Sequence, residues 1–274
     1  MSLFWWKGKP LKTVWRVEKD RHTSFLVGTA HFTPYSFRKA LIKLIQGAET
    51  VLFEGPLDEE SMARVVQYGE QGENAPSLYK ALHPDVIVEI NKLLGARSGL
   101  QTTAVPYLDL IHPTSSDFLE SHTRGLRPWM TFFTIWSAFL NWKHSMDVEA
   151  FRLAQKLGKK IEYLETIQDQ LAALDGIPFE RIVNYLNHIK DWGIHQEVFM
   201  KAFLEGDIQK FFSMTGEFPT RCESIITKRD PIFFKRMKVF FEAGKTAAFV
   251  GVAHIPGIRK LFLDEGYRVI QEES

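Results

Sequence analysis

Cysteine is almost missing: Cys222 is the single one in 274 residues. No disulfide can close within the chain and no cysteine-based zinc site can be built, so Cys222 reads as a small residue packed in a helix. An excess of charge of either sign is missing too. The formal net charge is +1, which argues against a nucleic-acid binder, since these carry a strong basic surplus. Long hydrophobic runs are absent. The longest apolar stretch, Trp129 to Trp142, contains Thr, Ser and Asn and falls short of the ~20 residues that span a bilayer, so it reads as a buried helix rather than a membrane span or a cofactor box. Leu3 to Trp6 is too short for a signal-peptide core, and a cytoplasmic protein is expected. There is no Gly-x-Ser-x-Gly elbow, no Walker loop and no Gly-x-Gly-x-x-Gly, which disfavours a serine hydrolase, a P-loop NTPase and a dinucleotide enzyme.

What is present suits a soluble α/β protein. Hydrophobic residues make up 45% and charged residues 24%, ordinary values for a globular chain, and the 22 Phe promise an aromatic core. Thr23 to Ala30 reads as a buried strand, Ser36 to Ile45 as a helix and Thr50 to Phe53 as a strand closed by Glu54-Gly55-Pro56, which together have the size of a βαβ unit. The middle is mostly helical: Asp58–Tyr68, Pro84–Leu94, Pro128–Asn141, Val148–Leu157, Phe179–Trp192, a stretch through Phe212, and Asp230–Glu242. Lys159 to Leu164 is a further strand. Thr246–Val250 (strand), Pro256–Asp264 (helix) and Tyr267–Gln271 (strand) restore the opening pattern. The expectation is one α/β domain over residues 1–274, with a mostly parallel central sheet, flanking helices and a large helical insertion at roughly 80–225. The Phe-rich stretch Pro231–Phe241 suits either the core or a homodimer surface.

Two segments match each other. Phe25-Leu26-Val27-Gly28-Thr29-Ala30-His31 and Ala248-Phe249-Val250-Gly251-Val252-Ala253-His254 are each an apolar strand followed by Gly-x-Ala-His. Parallel strands deliver the residues after their carboxyl ends into the crevice where α/β enzymes bind ligands. Gly28 and Gly251 permit close approach of a backbone or ligand, so both are candidate binding positions. Glu54 holds the equivalent place on the second strand. His31, Glu54 and His254 are therefore either ligands of a divalent metal or a metal-free acid–base group. Glu165 ends a strand and reads either as a site carboxylate or as a helix-opening acid. Arg229 precedes a helix and reads as a substrate clamp or oxyanion stabiliser, or else as a surface ion pair. His22, His83, His112, His122, His144, His188 and His195 follow no ligand spacing and read as structural or solvated.

At these residues the chain resembles the TraB/GumN family, which includes the TIKI-type proteases. The two Gly-x-x-His motifs, the acidic Glu54, the segment Lys159 to Thr166 with Gln170 after it, the stretches Leu126–Trp129 and Arg229-Asp230-Pro231, and Gly266–Val269 carry the likeness across about Thr23 to Ile270. Ser145-Met146-Asp147 departs from it where a Gly is expected before the acidic position. The resemblance implies metal-dependent peptidase chemistry with Mn or Co. Zn is a further candidate from the ligand types alone. Through the wider superfamily it implies either a metal-free esterase with a His base, as in erythromycin esterases, or haem binding, as in ChaN-like proteins. A hydrolase of a peptide or small-molecule substrate is the leading expectation. In it a metal sits on His31, Glu54 and His254, Glu165 or a neighbouring carboxylate takes the proton of a water, and Arg229 stabilises the oxyanion.

Overall fold

The computed structural model describes residues 9–95 and 118–272; Leu3 to Trp6, His112 and the side chain of His122 lie outside the described residues. The chain opens with a hairpin, β1 (Val14–Lys19) and β2 (His22–Thr29), turned at Asp20, whose φ of 54° lies in the left-handed region that Asp tolerates. Helix α1 (Arg38–Gly47) then leads to β3 (Thr50–Phe53). Helices α2 (Glu59–Gly69), α3 (Leu78–Ala81), α4 (Pro84–Gly95), α5 (Phe118–Thr123), α6 (Pro128–Leu140) and α7 (Met146–Lys156) follow. Strand β4 (Lys160–Tyr163) precedes α8 (Ile167–Asp175), α9 (Phe179–Asn187), α10 (Trp192–Glu205), α11 (Ile208–Thr215) and α12 (Asp230–Ala243). The chain closes with β5 (Thr246–Gly251), a 3₁₀ turn over Val252–His254, α13 (Ile255–Asp264) and β6 (Arg268–Gln271).

The six strands form one sheet in the order β4-β3-β5-β2-β1-β6. The four strands β4, β3, β5 and β2 run parallel, while β1 is antiparallel to both β2 and β6. The fold is thus the expected α/β class with a mostly parallel sheet. The central strand β5, TAAFVG, is buried at every position, as a parallel strand covered on both faces must be. The helices between the strands fall into two groups, because β4 pairs with β3 in the middle of the range 80–225.

Strand β1 is the element that pattern reading passed over. Val14, Trp15 and Val17 are buried there, the first two side by side, so the run lacks the strict alternation that marks a half-buried strand. In α12, Phe233, Phe234, Met237 and Phe241 are buried whereas Ile232 and Val239 are exposed; core packing therefore accounts for its phenylalanines. No helix among the described residues is long and apolar enough to cross a membrane.

The topology fixes where the site lies. Strand β5 sits between β3 and β2, which are joined through α1, so the chain changes direction across the sheet at β5, and α/β folds open a crevice at such a point. The register sets Thr29 beside Gly251 and Phe53 beside Phe249. The residues after β2, β3 and β5 therefore emerge at one edge.

Candidate active site

Gly251 is where the three expected residues meet. A Cβ at that position would lie 3.2 Å from Glu54 Oε1, 3.6 Å from His31 Nε2 and 3.8 Å from His254 Cδ2. Glycine here leaves an open corner bounded by all three side chains. Gly28, by contrast, packs against the chain: its Cβ would meet Ile255 Cγ1 at 3.1 Å and Val252 Cγ2 at 3.3 Å, and it does not line the cavity. Its role is to let the 252–255 turn pack on β2, which differs from the expected binding role.

The two matching histidines differ in what they face. His31 Nδ1 bonds Asp147 Oδ2 at 2.8 Å, and 61% of its side chain is open toward a cavity whose wall it forms. Asp147 arrives from the first turn of α7, where Ser145 caps the helix; Met146 N–H donates to Ala30 O at 3.2 Å and Thr33 bridges His144. Thr29 Oγ1 donates to the other carboxylate oxygen at 2.5 Å. Desolvation is the largest single influence on the His31 pKa and works to lower it. Asp147, by charge and hydrogen bond, and then Glu54 raise it from 6.5 to about 9.

His254 is buried at 2% exposure. Its Nδ1 bonds Asp230 Oδ1 at 2.7 Å, and Arg229 Nη1 lies 3.3 Å from its Nε2. A guanidinium only donates, so Nε2 is the accepting nitrogen and Nδ1 carries the proton toward Asp230. Gly257 makes room for this carboxylate: a Cβ there would stand 1.8 Å from Asp230 Oδ2. Asp147 and Asp230 both occupy the first turn of a helix, where the backbone favours a negative charge. Each therefore looks in sequence like an ordinary helix-opening acid, and that resemblance hid them as histidine partners.

Arg229 ties the remaining acids together. Its Nε donates to Glu165 Oε2 (2.9 Å), its Nη2 to Glu165 Oε1 (2.5 Å) and Glu54 Oε2 (2.7 Å), and its Nη1 to Ile225 O (3.3 Å) and His254 Nε2. That accounts for all five of its N–H groups. None remains for a substrate oxyanion, so the expected direct role gives way to one of positioning and charge. Glu165, at 3% exposure, spends both oxygens on the same guanidinium, and its N–H donates to Glu54 O at 2.8 Å.

Burial would raise the Glu54 pKa; Arg229, His254, His31 and the Gly251 N–H, which donates to Oε1 at 2.6 Å, outweigh it and hold the group at about 2. Burial raises Glu165 to about 7 in spite of Arg229, and Glu54 adds to the shift. Two carboxylates share one guanidinium, and as pH falls Glu165 takes up a proton before Glu54 does. Arg229 itself is held charged, its pKa raised: burial works against the charge, and Glu54 and Glu165 overcome that.

The donor chemistry can be tested against a metal. Each imidazole has its Nδ1 on a carboxylate, the orientation usual in metal ligands. Yet Glu54 has both oxygens bound, and the Arg229 cation faces His254 Nε2. Among the described residues no three His, Cys, Asp or Glu side chains are grouped so as to hold a metal ion. As arranged, His31, Glu54 and His254 do not fit a divalent metal unless Arg229 withdraws. The same pairing leaves His254 with no free nitrogen for a haem iron.

The cavity at this corner measures about 330 Å³, within the range of small-molecule sites. Its floor is the strand-end cluster, and its other walls are mostly apolar, broken by Gln170, His195 and Arg221. They include Trp129, Phe133, Trp136 and Trp142 from α6 and its end, with Tyr185 and Phe218. Rings in and behind this wall meet edge to face, Trp136 against Trp192 at 4.9 Å and against Phe218 at 5.3 Å. The aromatic stretch is thus both core and cavity lining. His195, which spacing left as structural or solvated, also lines the cavity.

A family model describing TraB, PrgY and gumN proteins matches residues 13–271. The chain belongs to the TraB/PrgY/gumN family. No curated protein matches the chain. Within the TraB/PrgY/gumN match lie both Gly-x-Ala-His turns, Glu54, Glu165 and Arg229, and also Asp147 and Asp230.

Proposed function

We propose that this protein is a hydrolase of esters or amides that works by acid–base chemistry at His31, without a resident metal. The observation that carries this reading is the asymmetry of the two histidines. His31 is oriented by Asp147 and opens on the cavity, while His254 is locked between Asp230 and Arg229. In its neutral form His31 Nε2 takes a proton from water as that water attacks a carbonyl at the Gly251 corner, and the resulting imidazolium returns the proton to the leaving group. Asp147 orients the ring and stabilises its charged form. Arg229 offsets the negative charge that develops on the carbonyl oxygen through the field it sets up in the cavity wall, and Glu54 and Glu165 hold it in place. Because His31 titrates at about 9, the base is available to a growing fraction of molecules as pH rises toward that value.

The test is hydrolysis of a panel of 4-nitrophenyl acyl esters and 4-nitroanilides by protein dialysed against chelator. The reading expects turnover that survives chelation and disappears in His31→Gln. Turnover lost on chelation and restored by Mn, Co or Zn overturns it in favour of a metallopeptidase, in which Arg229 must swing away from His254.

A further inference from the structure

Two arginines reach this cavity, and they are satisfied to different degrees. Arg229 has all five N–H groups taken. Arg221, in the segment between α11 and α12, also lines the cavity, but its Nε bonds only Thr215 Oγ1, at 3.2 Å. Its guanidinium carbon stacks over the rings of Phe211 at 4.8 Å and Phe212 at 5.0 Å. Thr215 Oγ1 is itself held, donating to Phe211 O at 2.8 Å. The two Nη atoms, with four hydrogens between them, have no acceptor among the described residues, and no described carboxylate pairs with them. Burial alone acts on this group, lowering its pKa to about 10, with no neighbouring charge raising it. A half-buried cation over two rings, held only at Nε and with no described counter-ion, presents free Nη donors of the planar, forked kind that suits a bidentate oxyanion.

We infer that Arg221 is the anchor for an anionic group of the substrate, so that the site takes amphiphilic monoanions: an apolar body lying along the aromatic wall, a carboxylate on Arg221, and the bond to be cut at the Gly251 corner. The inference rests on the hydrolase reading for the bond that is cut. The anchor itself is a matter of binding.

The experiment titrates wild-type protein at pH 7 with decanoate and with decanol, following the tryptophan fluorescence of the cavity wall. Wild type binds decanoate about tenfold or more tightly than decanol, the size of a charge-assisted hydrogen bond. Arg221→Met removes that preference, so that decanoate no longer binds more tightly than decanol. Arg221→Lys keeps part of it, and serves as the readout should the Met variant fail to fold. Equal affinities in wild type, no binding of either compound, or a preference that persists in Arg221→Met and disappears in His31→Gln each overturn the anchor. Hydrolysis plays no part in this readout. A protein that prefers decanoate but cleaves none of the nitrophenyl substrates keeps the anchor and loses the hydrolase reading, and the reverse result separates them the other way.

Discussion

At the scale of single residues, identical motifs have been put to different uses. Both Gly-x-Ala-His turns end in an imidazole bonded to a helix-opening aspartate, yet one ring is open and the other is buried. His31→Gln is therefore expected to abolish turnover and also to lower the melting temperature near neutral pH, where the pair with Asp147 contributes, by an amount that shrinks as pH rises through 9. Arg229→Met acts chiefly on stability. It leaves Glu54 and Glu165 buried without their cation, and breaking such a pair costs about 3–5 kcal/mol, which denaturant titration will register. Arg229→Lys recovers only part of this, since an ammonium cannot reproduce the fork that reaches both carboxylates and His254. The histidines, Glu54, Glu165 and Arg229 were legible in the sequence because each sits at a strand end or motif boundary. Asp147 and Asp230 fell within stretches marked by the family resemblance, but their pairing with the histidines was not legible, and neither was Arg221, because first-turn acids and a lone arginine look alike whether they act in a site or on a surface.

At the scale of elements, packing between the last helices positions the site. Helices α12 and α13 meet where Gly257 faces Asp230, and no side chain fits between them. Gly257→Ala is expected to push Asp230 off His254 and to destabilise the protein by about 1–3 kcal/mol through overpacking. A crystal structure or a chemical-denaturation curve of that variant checks both outcomes. Strands β2, β3 and β5 were readable from apolar runs ending in Gly or Pro, and β5 shows why: a strand buried on both faces must be continuously apolar. Strand β1 escaped because it opens on two adjacent buried residues, Val14 and Trp15, and because the hairpin turn is made by Asp20-Arg21 instead of a glycine pair. The parallel order across the sheet was inferable from the βαβ size of the segments, but the central place of β5 was not. A strand formed by residues 246–251 inserts between two strands from the first quarter of the chain, and local pattern carries no record of such long-range pairing.

At the scale of the whole molecule, the cluster's titration sets a stability profile with a definite sign. Glu54, lowered from 4.5 to about 2, contributes stability that is present above 4.5 and lost as pH falls through 2. Glu165, raised from 4.5 to about 7, favours the fold while it holds its proton, and that contribution fades as pH rises through 7. His31, raised from 6.5 to about 9, contributes below 6.5 and loses its contribution as pH rises through 9. Thermal melting is therefore expected to peak in mildly acidic solution and to decline toward alkaline pH. The His31→Gln variant should lose the part of that decline that lies between 6.5 and 9.

The claim on which the rest stands is that Asp147 charges an imidazole that opens on the cavity. Titrating the ring of His31 by heteronuclear magnetic resonance, in wild type and in Asp147→Asn, tests it directly. The account predicts a midpoint near 9 in wild type and a fall to or below the ordinary imidazole value in the variant. A wild-type midpoint at the ordinary value, unmoved by the loss of Asp147, would contradict it.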